Sequence, residues 1–297
     1  MQKLFLFDAY ALIYRSYYAF IKNPRINSKG LNTSAVMGFV NTLQEIITKE
    51  QPTHVGVAFD HGKTFRNEAF PEYKAQREET PEDIKKSVPI IKQLLEAWHI
   101  PCLQVDGFEA DDVIGTLAMK SGILGIETYM LTPDKDYGQL VRENVYQFRP
   151  RHGGGYEKMG PKEVCEKYGI ALDALEKKAL KLLHAKTGAA LARDVFGVDD
   201  EIYNAILWHT TGKPDMTVLE KVIYLADFIE PTRDFPGVDA LRRTVWEDLD
   251  RGLLMGLEMT VEEMEEMGNP IHINTLAARD YLKGKTNEGK AGSGQQL

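Results

Sequence analysis

Short apolar runs that end at or beside acidic residues recur along the first half of the chain. They occupy residues 3–8, 54–60 and 128–132, and an acidic loop follows the last of them. Continuous apolar runs of this length are typical of strands buried on both faces. An amphipathic stretch at residues 34–49, for which we expect Ser34 to be the N-cap, has apolar side chains at helical spacing. The alternation of strands and helices predicts an α/β fold, a parallel sheet with helices on both faces.

The second half of the chain has a helical pattern throughout. Apolar residues recur at helical spacing in three segments, residues 182–189, 219–231 and 241–259. The final residues, 286–297, are rich in Gly, Ser, Lys and Gln and are expected to form a disordered tail. The sequence therefore predicts an α/β domain at residues 1–170 and an all-α domain at residues 171–285.

Composition and charge are those of a globular protein and leave the partner open. Of the 297 residues, 43% are hydrophobic and 27% are charged, and no run has the length of a membrane span. The net charge is −8, but residues 1–170 carry 21 basic and 22 acidic side chains, whereas residues 171–297 carry 15 and 22. The near-neutral first part does not exclude a nucleic-acid partner. Two cysteines without a disulfide or zinc pattern indicate a reduced, cytoplasmic protein.

Acidic side chains gather where the predicted strands end. The carboxyl ends of parallel strands meet at one edge of a sheet, which is where such folds bind ligands. Glu109 and Asp112 are expected to share a helix face, with Asp111 beside them. Singly, each acid could be a surface residue or part of a helix first turn favoured by the helix dipole. Together they favour one or two Mg²⁺ or Mn²⁺ ions, which can activate water and stabilise the leaving oxygen of a phosphodiester. The seven candidates are Asp8, Asp60, Glu109, Asp111, Asp112, Asp134 and Asp136.

A stretch of cations and aromatic residues lies between the second acidic position and the third. Residues 63–77 contain Arg66, Tyr73, Lys74 and Arg77. Such a stretch offers charge to a nucleic-acid backbone and stacking surface to single-stranded bases. A solvated charged loop is the alternative interpretation.

Residues 1 to about 170 resemble the N-terminal part of the 5′ nuclease domain of bacterial DNA polymerase I, within the flap endonuclease family. The matching motifs are Phe7-Asp8-Ala9, Phe59-Asp60, Phe65-Arg66 with Tyr73-Lys74-Ala75-Gln76-Arg77, Gly107-Phe108-Glu109-Ala110-Asp111-Asp112 and Thr132-Pro133-Asp134-Lys135-Asp136. The resemblance implies a metal-dependent nuclease that removes 5′ single-stranded flaps or RNA primers from DNA.

The same resemblance implies roles for individual residues. Five acids would surround one metal ion: Asp8, Asp60, Glu109, Asp111 and Asp112. Asp134 and Asp136 would lie toward a second ion, and the expected catalytic residues are Asp8, Asp60, Asp111 and Asp134. Four residues would bind substrate, namely Arg66, Tyr73, Lys74 and Arg77. The family pattern should continue into a Gly-Asp-x-Ser-Asp-Asn segment and a helix-hairpin-helix, and neither occurs in this sequence.

Residues about 172 to 284 resemble the C-terminal half of HD-domain hydrolases of the YqeK type. The resemblance is carried by His209-Thr210-Thr211-Gly212, the segment 219–231 and Arg233-Asp234-Phe235-Pro236-Gly237-Val238. It implies a hydrolase of symmetrical dinucleoside tetraphosphates with an iron-containing two-metal centre. His184, His209 and Asp227 would be metal ligands, and Lys213 and Arg233 would lie near the phosphates. The family's His-Asp pair is absent from this sequence.

Three hypotheses follow from these two partial patterns, which join near residues 167–173. A 5′–3′ exonuclease or flap endonuclease is preferred, because seven expected carboxylates and the cationic stretch are present. An HD-type nucleotide hydrolase is the alternative. The third hypothesis is an inactive or binding-only fusion of two partial domains.

Overall fold

The computed structural model describes residues 2–76, 78–151 and 153–292, with side chains described as far as residue 285. The chain divides into two compact units, Met1–Val164 and Cys165–Leu297. This division lies six residues before the boundary expected from the sequence.

The first unit contains a six-stranded sheet whose strands are mostly parallel. In chain order its strands are β1 Lys3–Asp8, β2 His54–Ala58, β3 Cys102–Leu103, β4 Glu127–Leu131, β5 Val145–Pro150 and β6 Tyr156–Met159. Their order in the sheet is β3-β2-β1-β4-β5-β6, and only β6, which pairs with β5, is antiparallel. The predicted α/β parallel-sheet fold is confirmed. The three predicted strands correspond to β1, β2 and β4.

The helices of this unit cover both faces of the sheet. They are α1 Ala9–Ala19, α2 Ser34–Glu50, α3 Phe65–Ala69, α4 Glu82–Ala97, α5 Ala110–Ile123 and α6 Pro161–Tyr168, the last of which crosses the division between the units. Phe5 and Phe7 of β1 pack in one cluster with residues of α1, α2 and α4. Because side chains alternate along a strand, Leu6 points to the opposite face, where α5 contacts β1 and β4.

The predicted N-cap of α2 is wrong. The helix begins at Ser34, and its N-cap is Thr33. The Ser34 hydroxyl instead accepts a hydrogen bond of 2.8 Å from the Arg25 N–H in the preceding loop. The hydroxyl is therefore used to fix that loop against the helix start.

The described part of the second unit consists of helices, as the sequence predicts. In chain order they are α7 Leu183–Phe196, α8 Asp200–Trp208, α9 Val218–Ile229, α10 Val238–Glu247, α11 Leu249–Glu266 and α12 Ile273–Gly292. Tyr224 and Leu225 of α9 pack with Leu253 and Leu257 of α11 in its core. Helix α12 continues to Gly292, past the start of the tail expected at residue 286, since an established helix gains one hydrogen bond per added residue. Residues 293–297 of that expected tail lie outside the described residues.

Across the described helices, none combines the length and the apolar character needed to cross a lipid bilayer.

Candidate functional site

Asp8 is the last residue of β1 and the N-cap of α1, which places its carboxylate at the carboxyl edge of the sheet. Its Oδ1 accepts a hydrogen bond of 3.1 Å from the Ala11 N–H, and its Oδ2 accepts one of 2.9 Å from the Thr132 hydroxyl. The side chain is buried. Burial raises the pKa of Asp8 to about 7, and the nearby charges of Asp111 and Asp60 act in the same direction.

Asp60 and Asp111 connect the ends of two other elements at this edge. Asp60 follows β2, and its Oδ1 accepts a 2.7 Å hydrogen bond from the Ala110 N–H at the start of α5. Asp111, in the first turn of α5, accepts a 2.7 Å hydrogen bond from the Tyr137 hydroxyl. Burial raises the pKa of Asp111, and so do the charges of Asp60 and Asp134. The start of α5 is thereby held against the end of β2.

Asp134 and Asp136 belong to the loop that follows β4. Asp134 caps a 3₁₀ turn at Lys135–Leu140, and its Oδ1 accepts a 2.9 Å hydrogen bond from the Asp136 N–H. The pKa of Asp136 is raised by burial and by the charge of Asp134. The Gln147 amide also donates to the Asp134 carbonyl, which fixes this loop against β5.

These carboxylates form one electrostatically coupled group, the acidic cluster Asp8, Asp60, Asp111, Asp134 and Asp136. Each of the three raised pKa values shows that the ionised form is disfavoured by burial and by neighbouring carboxylates. A divalent cation would remove that penalty, and a set of oxygen donors fits Mg²⁺ or Mn²⁺. Within the described ranges, no three of these carboxylates have ligand atoms all within 4.8 Å of one another. In this arrangement the described carboxylates lie farther apart than three ligands of one closed shell.

Glu109 and Asp112 lie together, as the sequence predicts, but each binds a cation of the protein. Arg66 donates two 2.7 Å hydrogen bonds to Asp112, and the Lys74 ammonium lies 2.7 Å from the Glu109 carboxylate. The Tyr73 hydroxyl donates to the same Glu109 side chain at 3.2 Å. The hydrogen bonds from Arg66 lower the pKa of Asp112. Glu109 and Asp112 are thus paired with Lys74 and Arg66, and we do not count them in the acidic cluster.

The backbone also contributes to the position of Lys74. Its φ angle is 59°, a left-handed conformation that is uncommon for residues other than glycine. The fourth predicted substrate-binding residue, Arg77, lies outside the described residues.

A cavity of about 660 Å³ opens beside the start of α5. Asp111, Asp112 and Arg66 line one part of it, and Thr116, Met119 and Lys120 continue the lining along the same face of α5. Its volume is in the range of pockets that hold small ligands. The cavity therefore connects the acidic cluster with the Arg66–Asp112 pair.

Two residues of this site, Tyr137 and Thr132, were given no role from the sequence. Tyr137 binds Asp111, and burial is the main cause that raises its own pKa. Thr132 binds Asp8 across 124 positions of sequence. Both lie within or beside the segment 132–136, so their neighbourhood was visible but their partners were not.

In the second unit, His184 and His209 face each other. Their Nε2 atoms lie 3.1 Å apart, and the Nδ1 atoms lie 2.7 Å from the Lys181 carbonyl and 2.6 Å from the Ile206 carbonyl. Because a carbonyl oxygen only accepts, both Nδ1 atoms carry hydrogen, which leaves the Nε2 lone pairs of neutral rings directed at each other. This is the arrangement of histidines that bind a metal through Nε2 and a carbonyl through Nδ1.

The other predicted residues of this unit pair elsewhere. Arg233 donates a 2.9 Å hydrogen bond to the Asp227 carboxylate, and Lys213 lies 3.0 Å from buried Glu220. Over the part of the chain that the structure describes, no third His, Cys, Asp or Glu completes a set within 4.8 Å of the two histidine Nε2 atoms. The structure brings His184 to His209 but does not bring Asp227 to them.

A further group, Asp173, Glu176 and His272, has ligand atoms all within 4.8 Å of one another. The His272 Nδ1 accepts from the Asn274 N–H at 3.2 Å, so in a neutral ring Nε2 carries the hydrogen and donates to Asp173 at 3.0 Å. Lys186 lies 2.6 Å from Glu176. His272 and Lys186 therefore belong to a hydrogen-bonded network that joins the start of α12 to the segment before α7. No local pattern could reveal it, since Asp173 and His272 are 99 positions apart.

Comparisons with known proteins identify a family for the first part of the chain. The family model of the 5′-3′ exonuclease N-terminal resolvase-like domain matches residues 3–169. DNA polymerase I of Bacillus caldotenax is 41% identical over 172 residues, which are 57% of this chain and 19% of that protein. The 5′-3′ exonuclease of Aquifex aeolicus is 38% identical over 171 residues, 57% of each protein. The chain therefore spans only part of the length of these relatives.

The solved structures that resemble the chain include a flap endonuclease and an HD superfamily hydrolase. A bacteriophage T5 flap endonuclease in complex with DNA and metal ions is 18% identical, with a TM-score of 0.51 over 86% of this chain and 88% of that one, and shows the fold. An HD superfamily hydrolase from Clostridium acetobutylicum is 34% identical, with a TM-score of 0.41 over 58% of this chain and 86% of that one. Through residues 3–169, the chain belongs to the 5′–3′ exonuclease family of hydrolases, with a domain homologous to that of DNA polymerase I.

Proposed function

We propose that the chain is a divalent-cation-dependent 5′–3′ exonuclease or flap endonuclease that hydrolyses phosphodiesters of DNA. The observation that carries the proposal is the acidic cluster at the edge where the parallel strands end. Burial, and with it the charge of neighbouring carboxylates, raises the pKa of Asp8, Asp111 and Asp136, and the cluster offers only oxygen donors, which suits Mg²⁺ or Mn²⁺. Bound there, such ions would activate water and stabilise the leaving oxygen.

Each residue of the site has a proposed role. Asp8, Asp60, Asp111 and Asp134 are the catalytic carboxylates that hold the cations, and Asp136 supports them. Glu109 and Asp112 join the metal-binding set when Lys74 and Arg66 turn from them to phosphates of the substrate. Tyr73 and Arg77 complete the substrate-binding residues. Their present hydrogen bonds to Asp112 and Glu109 keep the positively charged side chains of Arg66 and Lys74 beside the place where such phosphates would lie.

The proposed substrate is DNA with a 5′ single-stranded flap or an RNA primer. Support comes from the relatives, a DNA polymerase I and a flap endonuclease that binds DNA. Such an activity would serve DNA replication and repair in the cytoplasm. Residues 1–170 are the proposed nuclease domain, and residues 171–285 are a proposed HD-like helical domain.

The test is cleavage of 5′-labelled flap DNA with Mg²⁺ or Mn²⁺. We expect metal-dependent cutting by the chain and a loss of at least about 100-fold in kcat with Asp111→Asn, because one charged ligand is removed. Asp239→Asn, whose carboxylate is exposed in the second unit, is the matched control and should cut normally. A folded chain that binds the flap but never cuts it would point to the binding-only hypothesis.

A second function is favoured by the His184–His209 pair. Two Nε2 lone pairs 3.1 Å apart repel each other unless a cation or a proton lies between them. Imidazole ligands suit iron among other transition metals. We propose that the second unit retains a partial HD-type metal site, which Asp227 would join as a further ligand on leaving Arg233, with Lys213 and Arg233 toward the phosphates of a dinucleoside polyphosphate.

Metal analysis and hydrolysis of diadenosine tetraphosphate test this second proposal. Iron that copurifies with the chain should be lost with His209→Ala and kept with His54→Ala, an exposed histidine of the first unit. Tetraphosphate hydrolysis that follows the iron content would establish the hydrolase. Equal iron content in both variants would contradict the site.

A further inference from the structure

Two half-exposed phenylalanines lie side by side next to the Arg66–Asp112 pair. Phe65 is 47% exposed and Phe108 is 45% exposed, and their ring centroids are 5.6 Å apart with an angle of 57° between the planes. Leaving a large apolar side chain exposed to water is unfavourable, so two such rings in contact and exposed point to a binding surface. We name this pair the aromatic platform.

The backbone holds the aromatic platform in place. Thr64 and Gly107 form an isolated parallel bridge, and the Phe65 N–H donates a 3.0 Å hydrogen bond to the Gly107 carbonyl. Gly107 has a φ of 81°, a conformation that favours glycine. The Thr64 N–H donates to the Asn67 side chain at 3.0 Å, which fixes the start of α3. The two rings are therefore presented by connected backbone rather than by independent loops.

The aromatic platform is continuous with the proposed nuclease site. The Arg66 guanidinium lies 4.6 Å from the centroid of the Phe65 ring while its nitrogens bind Asp112. Glu109 follows Phe108 directly and caps α5. Lys63, which precedes Thr64, is exposed. Cations beside an aromatic surface suit a ligand that combines flat bases with phosphates.

We propose that Phe65 and Phe108 bind a nucleobase of single-stranded nucleic acid as the strand passes to the acidic cluster. The location rests on the proposed nuclease function. The size of the surface favours this occupant over a protein, because a stable protein interface buries about 1,200 Å² or more, whereas two half-exposed rings offer the area of one or two bases. Stacking on phenylalanine does not depend on base identity, so the contact suits strands of any sequence.

The test is the affinity of the full-length chain for a 5′-labelled single-stranded oligonucleotide, measured by fluorescence anisotropy. Asp111→Asn serves as the background, so that Mg²⁺ can be present while turnover is suppressed. Phe65→Ala and Phe108→Ala should each raise Kd by about 5- to 150-fold, the range observed for the loss of one aromatic–base contact. Phe65→Tyr keeps the ring and should bind as the background does. Phe196→Ala removes a 71%-exposed phenylalanine of the second unit and should leave Kd unchanged.

An oligonucleotide with abasic sites separates stacking from other effects. It should bind the background chain more weakly than the normal strand, and Phe65→Ala should weaken it no further. Alanine variants that keep their far-ultraviolet circular dichroism and bind both strands like the background would overturn the platform. Failure of the background chain to bind any single strand would overturn it as well. The nuclease proposal is judged separately, by whether the wild-type chain cuts flap DNA.

Discussion

Arg66 donates one 2.7 Å hydrogen bond to each carboxylate oxygen of Asp112, and Asp112 in turn accepts the Glu109 N–H at 3.0 Å. The arginine is therefore attached to the first turn of α5 through both terminal nitrogens of its planar head, Nη1 and Nη2. Two parallel hydrogen bonds fix orientation in a way that a lysine ammonium cannot reproduce. Its position depends on Asp112 as much as on its own helix α3.

The first prediction is that Arg66→Gln and Asp112→Asn act on the same interaction. We expect each single substitution to lower kcat/KM for flap DNA by about 10-fold or more, since either change disrupts the pair. The double variant should lose less than the sum of the two free-energy changes, with a coupling of about 0.5 to 3 kcal/mol. Flap-cleavage kinetics of the four proteins measure that coupling, and strictly additive losses would contradict it.

Arg66→Lys distinguishes geometry from charge in the same pair. Lysine keeps the positive charge but donates from a single point. We expect it to recover only part of the loss seen with glutamine, mainly in KM. Full recovery would mean that charge alone is needed.

The second prediction concerns the pH dependence of stability without metal. Burial raises the pKa of Asp8 in the folded chain to about 7, whereas an unfolded aspartate titrates near about 3.9. As the pH falls from 8 to 5, the folded state takes up a proton that the unfolded chain does not yet bind, so the free energy of unfolding should increase. The gain should reach about 2 kcal/mol, because one pKa unit corresponds to about 1.4 kcal/mol.

Thermal unfolding in EDTA at pH 5.5 and pH 8 measures this effect. Relative to the wild type, Asp8→Asn should gain most stability at pH 8. The substitution should therefore remove much of the difference in stability between the two pH values. Asp111 and Asp136, whose pKa values are also raised, should account for a remainder. Mg²⁺ should stabilise the wild type more at pH 8 than at pH 5.5, because cations bind the ionised carboxylates. A wild type that becomes less stable as the pH falls from 8 to 5.5 would contradict the assignment.

The third prediction is that His272 stabilises the second unit. It is buried, donates to Asp173 and accepts the Asn274 N–H at the start of α12. His272→Ala should lower the free energy of unfolding by about 1 to 3 kcal/mol, because it removes these bonds and a buried ring. Urea unfolding followed by tryptophan fluorescence measures this, since Trp208 and Trp246 both belong to that unit.

His61→Ala is the matched control for that experiment. His61 pairs with Asp106 at 3.2 Å, but both side chains are largely exposed. An exposed pair contributes little to stability, so the change should be below about 0.5 kcal/mol. Equal effects of the two substitutions would deny His272 a special role.

The sheet and the candidate acids were predictable for a common reason. A buried parallel strand leaves a local apolar run, and its last residue has a known position at the sheet edge, so Asp8 and Asp60 could be placed from their own neighbours in sequence. Which of the seven acids pair with cationic side chains could not be predicted, because Arg66 meets Asp112 and Lys74 meets Glu109 only once the chain has folded. Ser34 shows the same limit on a small scale, since its partner is the Arg25 N–H nine positions away.

Long-range partners were out of reach for the same reason. Tyr137 binds Asp111 from 26 positions away, and His272 binds Asp173 from 99. Hydrophobic period and motif spacing carry no information about such pairs. The roles of the individual site residues stay predictions, and the substitutions above test them.

The fourth prediction concerns the close contact between α1 and α2. A Cβ atom added at Gly38 would lie 2.6 Å from the Cβ of Ser16, closer than such atoms approach in proteins. Because Ser16 is buried on α1, Gly38→Ala should force the helices apart and destabilise the first unit by about 1 to 3 kcal/mol. Thermal unfolding of the full chain should show a lower melting temperature.

Two further variants decide whether the steric contact is the cause. Gly284→Ala, in α12 with no atom within 4 Å of its added Cβ, should stabilise slightly, because alanine favours a helix by about 0.5 to 1 kcal/mol over glycine. The same gain is available to alanine at Gly38 once the clash is removed. Ser16→Gly combined with Gly38→Ala should therefore recover part of the loss, since the nearest contacts of the new methyl are the Cβ and Oγ of Ser16. If the double variant were as unstable as the sum of the two single variants, the separation of α1 and α2 would have to be set by other contacts.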